Sequence, residues 1–230
     1  KDGFFYCLDA ETGKEKWKLE IKNEINSTPL VYKDTVYFGS DDGNLYAVNK
    51  STGSISWKFK TNGKAQISPV AGKGIVYIIS SDKTLHAINA ANGNFIWSLV
   101  LPNETKATPS LNVNRNKIYV ASGNKILFID ISTGQVAREL ELPEKIENSI
   151  INLSGFIYVT DNFGKLYYID ETNLEIKWRY QGVGHKTTAP FVFNGIIHYG
   201  TDEGVFYAVG RNEDVHVYSP VIDKTEEILQ

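Results

Sequence analysis

A unit of about forty residues recurs along this chain, and that recurrence leaves few folds open. Trp17, Trp57, Trp97 and Trp178 mark it, separated by two gaps of 40 and one of 81. The long gap holds a further copy in which Arg138 takes the Trp place. Gly13, Gly53, Gly93 and Gly134 stand four residues before that place, each preceded by Thr or Asn (Thr12, Thr52, Asn92, Thr133). Asp9, Asn49, Asn89, Asp130 and Asp170 stand eight residues before it. Three columns in phase over five copies are not a chance pattern.

Other columns fall into step. Thr28-Pro29, Ser68-Pro69, Thr108-Pro109 and Ala189-Pro190 open a segment, with Ser149-Ile150 as the degenerate copy. Val36-Tyr37, Val76-Tyr77, Ile118-Tyr119, Ile157-Tyr158 and Ile197-His198 follow, then turns such as Asp41-Asp42-Gly43 and Asp202-Glu203-Gly204. Four short apolar runs per unit, rich in β-branched and aromatic residues and bounded by Gly, Asn and Asp, predict four antiparallel strands. Only Lys224 to Gln230 hints at a helix. Four-stranded units repeated radially make a β-propeller, which leaves only short, protected sheet edges. A β-solenoid is the other repeat fold to weigh, but its units are shorter.

Within this all-β reading the repeated residues have mechanical roles. Gly takes positive φ in the tight turn between third and fourth strands, and Asp or Asn bonds into that turn. Trp projects from the outer strand and buries its ring against the neighbouring blade. Cys7 shares a column with Ala47, Ala87, Phe128, Tyr168 and Ala208, which predicts a buried residue without chemistry. His86 falls in the column of Tyr6, Tyr46, Tyr167 and Tyr207, and His198 in that of Tyr37 and Tyr77. Both read as occupants of aromatic slots. His185 and His216 fall in predicted loops without a second ligand at metal-site spacing. No nucleophile motif or phosphate-binding glycine loop occurs, so neither a catalytic residue nor a metal ligand is assigned.

Composition narrows the partners. The 230 residues carry a net charge of −3, against the basic face that nucleic acid needs. No run of 18 apolar residues is present to span a membrane. One cysteine excludes an internal disulfide.

The succession Ser/Thr-Pro, Val-Tyr, Asp-Gly, Leu-Tyr-Ala, Asp/Asn, Thr-Gly and Trp resembles the pyrroloquinoline-quinone (PQQ)-like repeat. Its clearest copy runs from Asn44 to Trp57, and the resemblance covers roughly residues 3 to 210. It is shared by quinoprotein alcohol dehydrogenases, which hold PQQ and calcium, and by the outer-membrane assembly lipoprotein, which binds proteins. It therefore implies an extracytoplasmic setting, periplasmic or cell-surface, without choosing between these functions. The adjacent-cysteine disulfide of the dehydrogenases cannot form here.

Residues 1–212 are expected to form the propeller: a partial blade over 1–20, then blades over 27–60, 67–100, 107–141, 148–181 and 188–210. Residues 213–230 form a closing strand or tail. The mid-unit start and the lack of Met lead us to expect a fragment of a seven- or eight-bladed ring, with six-bladed closure as the alternative. Propellers bind at a channel mouth, where inner strands begin. Asn26, Gln66, Lys106, Glu147 and Thr187 lie three residues before the Pro position, and Glu24, Lys64, Glu104, Lys145 and His185 two residues further upstream. Strand-like alternation would point both sets the same way. They are polar and differ between copies while the framework stays constant, which makes them the candidate binding ring. The expected function is a non-catalytic scaffold for a protein or peptide, without a cofactor. The alternative is a PQQ-dependent dehydrogenase or part of one.

Overall fold

A computed structural model describes residues 2–210 and the backbone of Val215–Tyr218. Contacts divide the chain into two compact units on either side of Leu142 and Pro143. The first unit begins with a two-stranded sheet, β1 (Phe4–Leu8) and β2 (Glu15–Glu20). A four-stranded sheet follows, with β3 (Leu30–Tyr32), β4 (Thr35–Gly39), β5 (Asn44–Asn49) and β6 (Ile55–Lys60). The next contains β7 (Val70–Gly72), β8 (Ile75–Ile79), β9 (Thr84–Asn89) and β10 (Phe95–Val100). The unit ends with β11 (Ser110–Asn112), β12 (Lys117–Ser122), β13 (Lys125–Asp130) and β14 (Val136–Glu141). The second unit has β15 (Ile151–Leu153), β16 (Phe156–Thr160), β17 (Lys165–Asp170) and β18 (Ile176–Gln181). Its other sheet comprises β19 (Phe191–Phe193), β20 (Ile196–Gly200), β21 (Phe206–Val209) and β22 (Val215–Tyr218).

Among the described residues each strand pairs antiparallel with its neighbour in sequence, so each four-stranded sheet is a meander and a propeller blade, and β1–β2 is part of one. The inner strand starts directly after the Pro column, at Leu30, Val70, Ser110 and Phe191. The two middle strands are buried on both faces, whereas the outer strand alternates between exposed and half-buried positions. The burial follows from blades packing face to face while the outer edge meets water.

The third turn of each unit behaves as its column predicts. Asp9 Oδ1 accepts hydrogen bonds from the Thr12 N–H and hydroxyl, and Asp130 Oδ1 accepts from the Ser132 and Thr133 N–H groups. Gly13, Gly53, Gly93 and Gly134 have φ of 68–75°. The fifth copy puts Leu174 at φ 61° instead, a conformation that costs a side-chain-bearing residue energy. Glycine has a second purpose in the first unit. A Cβ on Gly53, Gly93 or Gly134 would lie 2.6–2.8 Å from the ring of Trp17, Trp57 or Trp97 respectively. Each Trp thus lies flat on the bare glycine of the following blade. Its Nε1 donates to a carbonyl there: Lys50 O at 3.0 Å, Ala90 O at 3.2 Å or Ile131 O at 3.0 Å.

Two expectations need correction. Cys7 is half-buried, because β1 has a partner on one side only and no strand covers it as Tyr37 covers Ala47. His216 belongs to β22, paired with Ala208, and is not in a loop. The hint of helix over Lys224 to Gln230 lies outside the described residues.

Candidate functional site

Two kinds of loop meet at one end of each unit: the connector entering an inner strand and the turn between the two middle strands. Main-chain bonds join them, from Asp41 N to Glu24 O and from Ser81 N to Lys64 O, both at 2.9 Å. The connectors are irregular, so the alternation expected of their side chains does not come from strand geometry.

In the first unit these loops gather around Asp41, whose side chain is 10% exposed. Asn26 Nδ2 donates to Asp41 Oδ1 at 3.1 Å, and Gln66 Nε2 reaches both oxygens at 3.0 Å. Lys64 Nζ lies 2.9 Å from Oδ2. Burial works to raise the Asp41 pKa, but the bonds from Lys64, Gln66 and Asn26 outweigh it and hold the carboxyl below its ordinary value. Asp41 therefore stays ionised and clamps connectors from two successive blades.

Beside this clamp a cleft of about 360 Å³ opens between the connector entering β7, the turn from β8 to β9 and the connector entering β11. Lys64, Gln66, Glu104 and Lys106 stand along it, two from each connector, together with Ser80, Ser81 and Lys83 from the intervening turn. Ile67 and Ile79 supply the apolar part of the lining. Ser81 Oγ accepts the Lys64 N–H at 2.9 Å, which fixes one wall to the other. The volume lies toward the small end of ligand sites.

The second unit presents its candidates differently. Thr187 Oγ1 donates to Asp161 O at 3.0 Å, and Asn148 Nδ2 reaches Thr187 Oγ1 at 2.6 Å. Asp161 is fully buried, accepting from the N–H groups of Phe163 and Lys165 and from Tyr167 Oη. His185 is exposed, its N–H bonded to Asp202 Oδ1 at 2.9 Å and its imidazole edge-on to Phe163 at 5.8 Å. Glu147 and Lys145 are exposed on the connector before β15. Sequence reasoning missed Asp41, Ser81, Lys83, Asn148 and Asp161. Asp41 and Ser81 share a column that changes identity between copies, a signal hidden because an Asp-Gly turn explains Asp41 by itself.

Among the described residues no three of His, Cys, Asp and Glu are grouped to hold a metal ion.

Residues 1–180 match the sequence family described as outer membrane protein assembly factor BamB. No curated protein matches the chain. Solved structures share the fold. BamB from Moraxella catarrhalis superposes with a TM-score of 0.70 at 13% identity, covering 90% of this chain and 80% of that one. The computationally designed Ika8 protein gives 0.80 at 17% identity, with 95% and 69% covered. Quinohemoprotein alcohol dehydrogenase ADHIIG from Pseudomonas putida HK5 gives 0.71 at 15% identity, covering 88% of this chain and 43% of its own.

Proposed function

The chain belongs to the family of outer membrane protein assembly factor BamB, and from that premise we propose that it is a non-catalytic scaffold which binds a protein partner. The observation that carries the reading is the cleft of the first unit, where Lys64, Gln66, Glu104 and Lys106 converge from two connectors. These positions vary between copies more than the columns that build the blades do. A rigid repeat with variable loops at one end suits recognition, because the loops are presented without an entropic cost at each encounter.

The lining suggests the partner's chemistry. Lys64, Lys83, Lys106 and Glu104 line the cleft; Asp41 neutralises Lys64, and Lys83 has no ion-pair partner among the described residues. An extended segment with a carboxylate for Lys83 fits this lining, with an apolar side chain seated against Ile67 and Ile79. An extracytoplasmic location accords with the family. Among the described residues no helix is long and apolar enough to cross a membrane.

The test is capture of the partner on immobilised protein, followed by titration of the purified pair. Charge reversal by Lys83→Glu with Lys106→Glu should weaken binding by about tenfold or more, equivalent to roughly 1.4 kcal/mol. It should also flatten the salt dependence of the association rate. Undiminished affinity in the double variant would remove this cleft as the binding site.

A further inference from the structure

His86 is 5% exposed and stands in a column where four other copies have tyrosine. In three of those copies the tyrosine hydroxyl reaches a carboxylate directly: Tyr6 bonds Asp2, Tyr46 bonds Asp42, and Tyr167 bonds Asp161. Imidazole is shorter, and His86 reaches Asp82 only through Ser80. Its Nε2 lies 3.2 Å from Ser80 Oγ, and that hydroxyl donates its one proton to Asp82 Oδ1. With this proton committed, Ser80 can only accept from His86, so Nε2 carries the imidazole hydrogen. The remaining nitrogen, Nδ1, is buried without a hydrogen-bond partner.

This arrangement has room for one proton on the imidazole and not for two. A second would sit on Nδ1, facing no acceptor, and would place a cation in the core. Asp82 is the charged group whose attraction reaches His86. The surrounding strands contribute Ile78 from β8, Ser98 from β10 and the Phe59 ring from β6, 5.5 Å away, none of which offers compensating charge. Burial lowers the His86 pKa below 6.5, and the attraction of Asp82 only partly offsets it. A lowered histidine pKa means that stability is complete above pH 6.5 and is lost as the pH falls below it.

The residues that hold His86 also shape the cleft. Ser80, Ser81 and Lys83 line it, and Ser81 secures the Lys64 connector. Asp82 ties Ser80 to the Thr84 hydroxyl, which lies 3.0 Å away, and so closes the turn. We propose that His86 is an acid-sensitive latch beneath the cleft: neutral, it keeps the Ser80–Thr84 turn in its binding shape, and protonated, it releases that turn. The proposal rests on the cleft being the binding site, but its test needs no partner.

The experiment follows the His86 imidazole and the Ser81 and Lys83 amides by NMR, titrating the full chain from about pH 8 to pH 5. The expected result is one shared midpoint below 6.5 for all three signals. His86→Gln keeps a donor for Ser80 but cannot titrate, and His86→Tyr restores the residue of the other copies. Both should flatten the two amide curves. The latch is overturned if the amides titrate unchanged in both variants, if they stay flat while His86 titrates, or if His86 remains neutral down to about pH 5. Any of these leaves the scaffold reading standing. Loss of that reading in the charge-reversal test would leave the titration result untouched.

Discussion

The main-chain carbonyl of Ile131 receives two hydrogen bonds from the preceding blade, Tyr77 Oη at 3.2 Å and Trp97 Nε1 at 3.0 Å. Ala90 O is held in the same way by Tyr37 and Trp57. A carbonyl has two lone pairs, and here both are used by side chains from one neighbouring blade. The tyrosine and tryptophan columns are plain in the sequence, and their burial could be foreseen. Their shared acceptor could not, because it lies on the next blade. Trp97 is the most informative position at this scale, being 8% exposed and seated on Gly134. Trp97→Ala should cost about 3–5 kcal/mol in urea unfolding, in the range for large aromatics removed from a core. A loss below about 1 kcal/mol would show that the neighbouring blades do not depend on this contact.

At the scale of the strand, the outer edges differ in one respect that sequence alone makes visible. β2, β6, β14 and β18 all carry Lys, Arg or Glu, the usual protection of an edge against pairing with another chain. β10 reads Phe-Ile-Trp-Ser-Leu-Val and has no charge. Its Phe95 and Val100 are 58% and 68% exposed. Val100→Lys should therefore reduce heat-induced aggregation measured by light scattering, while changing stability by less than about 0.5 kcal/mol. Equal aggregation in the variant would mean that another surface seeds it. Strand boundaries and turns were legible from Pro, Gly and Asx positions, which act locally. The connectors were not, since Asn26, Lys64 and Gln66 take their places from Asp41 across the fold.

For the molecule as a whole, the same fold is shared with an assembly factor, a designed protein and a dehydrogenase, each at 17% identity or less. Blade architecture therefore does not select a function. Titration with PQQ and calcium separates the two family readings. The scaffold reading expects no rise in melting temperature, whereas saturable binding must stabilise the folded state. A shift that saturates at micromolar quinone would favour the dehydrogenase.

The sequence by itself determined the all-β class, the four-strand unit, the turns and the residues that stack blade on blade. These follow from glycine φ, proline, Asx bonding and a forty-residue period, all of which act within one unit or between neighbours. Only the tertiary structure decided which polar residues meet. It drew Asn26, Lys64 and Gln66 onto Asp41, opened a cleft beside them, and set His86 beneath it with one nitrogen unpaired. Those outcomes depend on distances between loops of different blades, and a repeat pattern carries no record of such distances.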